Sequence, residues 1–67
     1  MTIVINGQDY PDLADGMTVQ ALLKHLGLPG KKVAVERNRE IVLKSTFDTI
    51  ALSDGDRLEI IHFIGGG

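Results

Sequence analysis

Cysteine is absent from this chain of 67 residues. Its absence excludes disulfides, iron–sulfur clusters, cysteine-based zinc sites and a thiol nucleophile. Aromatic residues are also scarce, at 4% of the chain, although the hydrophobic share reaches 43%. A chain of this size holds one domain, and without cross-links that domain must be stabilised by an aliphatic core alone.

Excess charge and long apolar runs are missing as well. Nine acidic and seven basic residues give a formal net charge of −2, which argues against long-range attraction to nucleic acid or anionic lipid. No apolar run approaches the ~20 residues that span a bilayer, and no signal-peptide pattern opens the chain. We therefore expect a cytoplasmic protein that binds neither nucleic acid nor membrane and is a monomer when free.

The basic residues are unevenly spread. Between positions 31 and 44 lie five of the seven, namely Lys31, Lys32, Arg37, Arg39 and Lys44. Such a cluster marks solvated strands and turns in most proteins, and in others it steers a partner of opposite charge. The sequence leaves both readings open.

Hairpin signals open the chain. Residues 2–5 are all β-branched and precede Asn6-Gly7. This is the favoured pair for a two-residue type I′ turn, because both turn residues need φ > 0. We expect the second strand to run from residue 8 to about residue 13. Pro11 has no N–H for a ladder, so this strand should lie at a sheet edge.

A short helix is predicted next. Thr18 is a suitable N-cap, and the apolar stripe that follows has the spacing of one helix face, with Val19, Leu22, Leu23 and Leu26. Gly27 suits the left-handed position that closes a helix, and Pro29 prevents continuation.

The second half of the chain alternates short apolar runs with turn signals. These predict strands over residues 33–35, 41–43 and 57–64, turns over 37–39 and 53–56, and a helical turn over 45–48 that places Phe47 on the core. Hairpins with a single helix indicate an α+β fold in which the helix crosses one face of a mixed sheet of four to five strands.

The last strand is apolar on both faces, which is typical of a central strand. Leu58 and Ile60 should face the helix, whereas Ile61 and Phe63 should point to the opposite face. There they either form an exposed patch of the kind that marks partner surfaces, or are covered by the loop of residues 47–52.

The chain ends in Gly65-Gly66-Gly67, directly after an apolar run. Glycine weakens a strand and offers nothing to pack, so packing does not explain the tail. We expect a flexible thread over residues 64–67, able to enter a narrow channel and to carry the Gly67 carboxylate on the order of 10 Å beyond the sheet. The alternative is a frayed end without function.

Several segments carry a resemblance to a known family. They are Ile3-Val4-Ile5-Asn6-Gly7, Met17-Thr18-Val19 before Leu22-Leu23, Val33-Ala34-Val35-Glu36, Ile41-Val42, and above all Asp54-Gly55-Asp56-Arg57-Leu58-Glu59-Ile60-Ile61-His62-Phe63-Ile64 with the terminal glycines. With them the whole chain resembles the ubiquitin-like β-grasp sulfur carriers of the ThiS/MoaD family, most closely the thiamin-biosynthesis branch. The resemblance implies a single β-grasp domain over residues 1–67.

Two positions depart from the family pattern. Asn38-Arg39 stands where the family usually has Asn-Gly, and Arg at φ > 0 is costly. The sequence therefore leaves the conformation of this turn open. Leu43-Lys44 stands where the family often has Pro-Arg. Both departures lie away from the tail, so they bear on partner affinity more than on chemistry.

The resemblance implies carriage of sulfur, not catalysis. A ThiF-like adenylyltransferase would use ATP to activate the Gly67 carboxylate, and a sulfur donor such as a cysteine desulfurase would convert it to a thiocarboxylate. A ThiG-like thiazole synthase would then take the sulfur. On this reading Gly65, Gly66 and Gly67 enter partner channels, Ile61, Phe63 and Ile64 are candidates for the partner surface, and the chain itself binds no cofactor or metal.

Other readings remain beside this one. Related carriers serve molybdopterin synthesis, transfer-RNA thiolation or cysteine synthesis, whereas a passive β-grasp binding module would not need a free glycine terminus. His25 and His62 are the only histidines. They fall on different elements, which favours surface positions over a metal site or an acid–base pair.

Overall fold

A computed structural model of the chain describes residues 1–62. Its strands are β1 (Ile3–Ile5), β2 (Gln8–Tyr10), β3 (Val33–Arg37), β4 (Glu40–Val42) and β5 (Arg57–His62). They form one sheet in the order β2-β1-β5-β3-β4. Within the part of the chain that the structure describes, only β1 and β5 are parallel neighbours. This mixed sheet with one α-helix, α1 (Val19–His25), confirms the α+β, β-grasp prediction.

The first hairpin has the predicted turn. Asn6 and Gly7 have φ of 50° and 81°, as a type I′ turn requires. The prediction of an edge strand after it is confirmed, but the strand stops at Tyr10, not near Leu13. The reason is local, because Pro11 lacks a donor and the next residue bends the chain with a positive φ of 66°.

Both ends of α1 follow the sequence signals. The Thr18 Oγ1 accepts a hydrogen bond from the Ala21 N–H at 3.1 Å, so one free donor of the first turn is satisfied. At the other end Gly27 has a φ of 72°, and its N–H donates to the Lys24 carbonyl at 3.1 Å. The left-handed glycine cap is thereby confirmed.

The second hairpin settles the turn that the sequence left open. Asn38 and Arg39 have φ of 51° and 70°. Both turn residues are therefore left-handed, as in the first hairpin, although one of them is an arginine. Hydrogen bonds to β5 stabilise this conformation. The Asn38 N–H donates to the Arg57 carbonyl at 2.7 Å, and the Asn38 Oδ1 accepts the Arg57 N–H at 3.0 Å. Arg37, which we expected in the turn, is the last residue of β3.

The core lies between α1 and one face of the sheet. Its buried side chains come from both layers and from the connecting segments: Ile3, Ile5, Leu13, Val19, Leu22, Leu23, Val33, Val35, Val42, Phe47, Leu52, Leu58 and Ile60. Phe47 follows a 3₁₀ turn over Lys44–Thr46, which confirms the helical turn with a start one residue earlier. Among residues 1–62 the fully buried core is aliphatic except for this one ring.

The prediction of a central last strand is confirmed, since β5 lies between β1 and β3. Leu58 and Ile60 are buried, whereas Ile61 is 55% exposed. Phe47 and Leu52 pack in the core on the helix side. Hence the loop of residues 47–52 does not cover Ile61, and the prediction of an exposed residue is confirmed for Ile61, whereas Phe63 lies outside the described residues.

Candidate functional site

The candidate site begins at the C-terminal end of β5. Its last pair with β3 joins Val33 and His62. The predicted partner-surface residues Phe63 and Ile64 and the predicted tail Gly65-Gly66-Gly67 lie outside the described residues. The structure thus describes the base from which the predicted tail continues.

The asparagine of the first turn fixes that base. β1 stops at Ile5, and beyond it the Asn6 side chain takes over the pairing with β5. Its Nδ2 donates to the Ile60 carbonyl at 3.1 Å, and its Oδ1 accepts the Ile60 N–H at 2.8 Å. On the other edge Ile60 pairs with Val35. As a result β5 is hydrogen-bonded on both sides up to two residues before the end of the described chain.

Sequence reasoning assigned Asn6 to the turn alone. The bond to Ile60 joins residues 54 positions apart, so no local pattern points to it. The same residue type has two uses here, because Asn tolerates φ > 0 and its amide offers both a donor and an acceptor.

A charged network holds the opposite end of β5. Asp56 is only 7% exposed. Its Oδ2 accepts from the Arg37 Nε and the Ser53 N–H, each at 2.8 Å, and its Oδ1 accepts from the Asn38 Nδ2 at 3.1 Å. Sequence reasoning placed Asp56 in a turn and missed this network, whose side-chain partners lie 18 and 19 positions away.

The network offsets the effect of burial on the pKa of Asp56. Burial alone would raise the pKa of its carboxyl. The bonds from Ser53, Asn38 and Arg37 outweigh burial, so the pKa lies below its ordinary value of 3.8. The carboxylate is therefore ionised at neutral pH and ties the second hairpin to the start of β5.

An apolar patch covers part of the sheet face opposite α1. Ile61 pairs with Ala34, and Ile41 pairs with Glu36. Because Ala34 and Glu36 are two residues apart on β3, Ile61 and Ile41 share a face. Leu43 has the same parity as Ile41, just beyond β4.

We define the open-face patch as Ile41, Leu43 and Ile61, which are 77%, 64% and 55% exposed. Sequence reasoning found only Ile61. The other two residues could have been predicted from the alternation in a strand. Because Val42 is buried, its neighbours Ile41 and Leu43 point to the opposite face.

Metal binding has no support in the arrangement of residues 1–62. Both histidines are exposed, His25 at the end of α1 and His62 at the end of β5, as expected for surface positions. Within the same residues no three His, Asp or Glu side chains come together to hold a metal ion. Nor does that part of the chain contain a helix long and apolar enough to span a membrane.

Comparisons with known proteins give matches over the full chain. The model of the ThiS family matches residues 2–67. The sulfur carrier protein ThiS of Bacillus subtilis is 44% identical over 63 residues, covering 94% of this chain and 96% of that protein. The crystal structure of the thiamine biosynthesis protein ThiS from Geobacter metallireducens superposes with a TM-score of 0.85, at 35% identity and with complete coverage of both chains.

Two longer relatives are thiazole synthases. That of Paramagnetospirillum magneticum is 55% identical over 67 residues, and that of Magnetococcus marinus is 43% identical over 67 residues. The chain spans 20% of the length of each of them. In both organisms, therefore, a segment similar to this whole chain is part of a longer polypeptide.

Proposed function

The chain belongs to the ThiS family, and we propose that it is a sulfur carrier of thiamine biosynthesis. One observation carries the proposal, namely that the similarity to the Bacillus subtilis sulfur carrier extends over 96% of that protein. The β-grasp topology and the full-length superposition on a ThiS structure support it.

The proposed working group is the terminal carboxylate of Gly67. A carboxylate is a poor electrophile because its negative charge repels nucleophiles, and adenylation by a partner supplies a leaving group. A ThiF-like adenylyltransferase would use ATP for this step. The terminal sulfur of a donor persulfide, such as one on a cysteine desulfurase, would then displace AMP and leave the chain joined to the donor through an acyl disulfide. Attack of a thiol on the donor-side sulfur would release the thiocarboxylate, which would be delivered to thiazole synthase.

In this scheme the chain presents its terminal carboxylate to the partner enzymes. It acts as a protein co-substrate, not as an enzyme. Glycine at positions 65–67 has no Cβ, so the backbone of an enclosing partner site can approach it closely. The bonds of Asn6 and β3 to Ile60 support this role, because a tail delivers its end reproducibly only from a fixed base.

Intact-mass spectrometry tests the proposal. The protein is incubated with the adenylyltransferase of its own organism, ATP and the sulfur donor, in a buffer that contains a thiol reductant. We expect its mass to rise by the difference between one sulfur and one oxygen, and only when all three are present. An unchanged mass would contradict the proposal if the same mixture thiolates Bacillus subtilis ThiS as a positive control.

We further propose that the open-face patch, with Phe63 and Ile64 beyond it, contacts the partner enzymes. Ile61 is the described member of the patch nearest the tail, one residue before the end of β5. Solvated apolar surface next to a reactive end is suited to docking. The thiazole synthases that contain a similar segment make thiazole synthase the first partner to test.

Replacement of Ile61 tests this docking surface. We expect Ile61→Lys to weaken binding to thiazole synthase by about ten-fold or more, because an apolar contact is lost and a charge is buried. Isothermal titration calorimetry measures the change. The matched control is Ala21→Lys, which adds the same charge at an exposed position of α1. Equal affinities of the two variants would contradict the assignment of the surface.

The related pathways are distinguished by the partner that is captured. A carrier of thiamine synthesis should retain thiazole synthase in a pull-down, whereas a carrier of molybdopterin synthesis should retain molybdopterin synthase. The two thiazole synthases among the relatives favour the first outcome. Capture of molybdopterin synthase alone would contradict the pathway and leave the carrier chemistry intact.

A further inference from the structure

We propose that a groove on the helix side of the molecule binds an acidic peptide segment of a partner protein, anchored by an apolar side chain. The groove lies between α1, the 3₁₀ turn over Gly30–Lys32 and the segment from Lys44 to Phe47, and has a volume of about 540 Å³. It is separate from the open-face patch and from β5. The inference therefore does not depend on the sulfur chemistry proposed above.

The floor of the groove is apolar. Leu23 and Phe47, which are 2% and 5% exposed, form it together with the half-buried Leu28. Gly30 keeps it deep. A Cβ at this position would lie 3.9 Å from the Leu23 Cδ1 and 3.9 Å from the Phe47 Cδ2, so a side chain would fit there and fill the space.

The rim of the groove is cationic. Lys24, Lys31 and Lys44 line it, and no acidic residue of the described chain does. The Lys44 Nζ donates to the Lys31 carbonyl at 2.9 Å, which holds this ammonium group at the rim. Three positive charges around an apolar floor contrast with the net charge of −2 for the whole chain.

The shape and charge of the groove point to one class of occupant. A carboxylate-rich peptide with a large apolar side chain fits both the floor and the rim, because the side chain covers the floor while the carboxylates meet Lys24 and Lys31. A small anion would leave the floor uncovered. A nucleic acid is disfavoured by the negative charge of the rest of the protein. Within the basic cluster, Lys31 and Lys44 come together through the bond from the Lys44 Nζ to the Lys31 carbonyl.

The test uses NMR titration of the full chain with an acetylated hexapeptide of sequence Glu-Asp-Leu-Phe-Glu-Asp. We expect saturable shifts of the amide signals of Lys24, Leu28, Gly30 and Phe47, and a Kd that rises with salt. Charge reversal in Lys31→Glu should raise the Kd by about five-fold or more. The matched control is Lys32→Glu, since Lys32 is exposed and adjacent but does not line the groove.

A second variant tests the floor independently of charge. Gly30→Leu fills the groove and should abolish the shifts, and Gly30→Ala is used if the larger side chain disturbs the amide spectrum. Absence of saturable shifts overturns the proposal, and so do shifts confined to the open-face patch. Equal effects of Lys31→Glu and Lys32→Glu overturn it too. The same holds if inorganic phosphate, an RNA oligonucleotide or phosphatidylserine vesicles shift the same signals as strongly as the peptide.

Discussion

Deletion of Gly67 is expected to abolish thiocarboxylate formation while leaving the free energy of unfolding unchanged. The deletion moves the terminal carboxylate back by one residue, which is ~3.3–3.6 Å of extended chain. Acyl transfer needs reacting atoms about 3–3.5 Å apart, and a misplacement of ~1 Å already costs on the order of 100-fold in rate. A partner site built for the full-length tail would therefore miss the shortened one.

The fold should survive because no described contact depends on that residue. The hydrogen bonds that hold β5 run from Asn38 at its start to Asn6 and β3 near its end. We expect urea denaturation curves of the deletion variant and of the unaltered chain to coincide within about 0.5 kcal/mol, because no described contact is removed.

Intact-mass spectrometry in the thiolation mixture gives the readout. A second variant with one alanine appended after Gly67 should fail equally, although its fold and its glycines are intact. A third, Gly67→Ala, keeps the length and adds only a Cβ, so it should react slowly. Thiolation of the deletion variant at the normal rate would show that Gly67 is not the modified residue, even if the carrier function itself holds.

Local signals predicted a large part of the fold. Asn6-Gly7, Thr18 and Gly27 each specify a backbone conformation within a few residues, and all three adopt it. The central position of β5 also followed from its apolar residues on both faces. Such features can be predicted from the sequence because their physical cause lies in neighbouring residues.

Long-range contacts determine the features that the sequence did not reveal. Arg39 disfavours a left-handed turn on its own, but the bonds of Asn38 to Arg57 and Asp56 impose it. Asn6 and Ile60 likewise meet only after the sheet has formed. For the candidate site, the sequence indicated the tail and Ile61, whereas the fixed base and the rest of the open-face patch required the structure.

The two hairpin turns stabilise β5 in a similar way. Each has an asparagine at its first left-handed position, and each asparagine side chain bonds to the backbone of β5, at Ile60 from one turn and at Arg57 from the other. The strand that leads to the proposed tail is thus held at both ends by the turns of the flanking hairpins. This arrangement links a local turn preference to the position of β5.

Asp56→Asn is expected to lower the free energy of unfolding at pH 7 by about 2–3 kcal/mol, because it breaks a largely buried ionic network. Three donors converge on the carboxylate, from Arg37, Ser53 and Asn38. An amide has one acceptor oxygen, and its NH₂ group would face a donor. For a domain of this size the loss corresponds to a melting temperature roughly 10 °C lower or more.

The pH dependence separates loss of charge from loss of shape. The folded-state pKa of Asp56 lies below its ordinary value of 3.8, so its stabilising contribution is present above that value and is lost as the pH falls through the folded-state pKa. Urea denaturation is measured at decreasing pH for the unaltered chain and for Asp56→Asn. The difference between their free energies of unfolding should become smaller from about pH 5 downward. The control is Asp48→Asn, the same change at an exposed position, which should cost less than about 0.5 kcal/mol. A gap that stays constant down to the acid limit would mean that the packing of Asp56, not its charge, holds the second hairpin to β5.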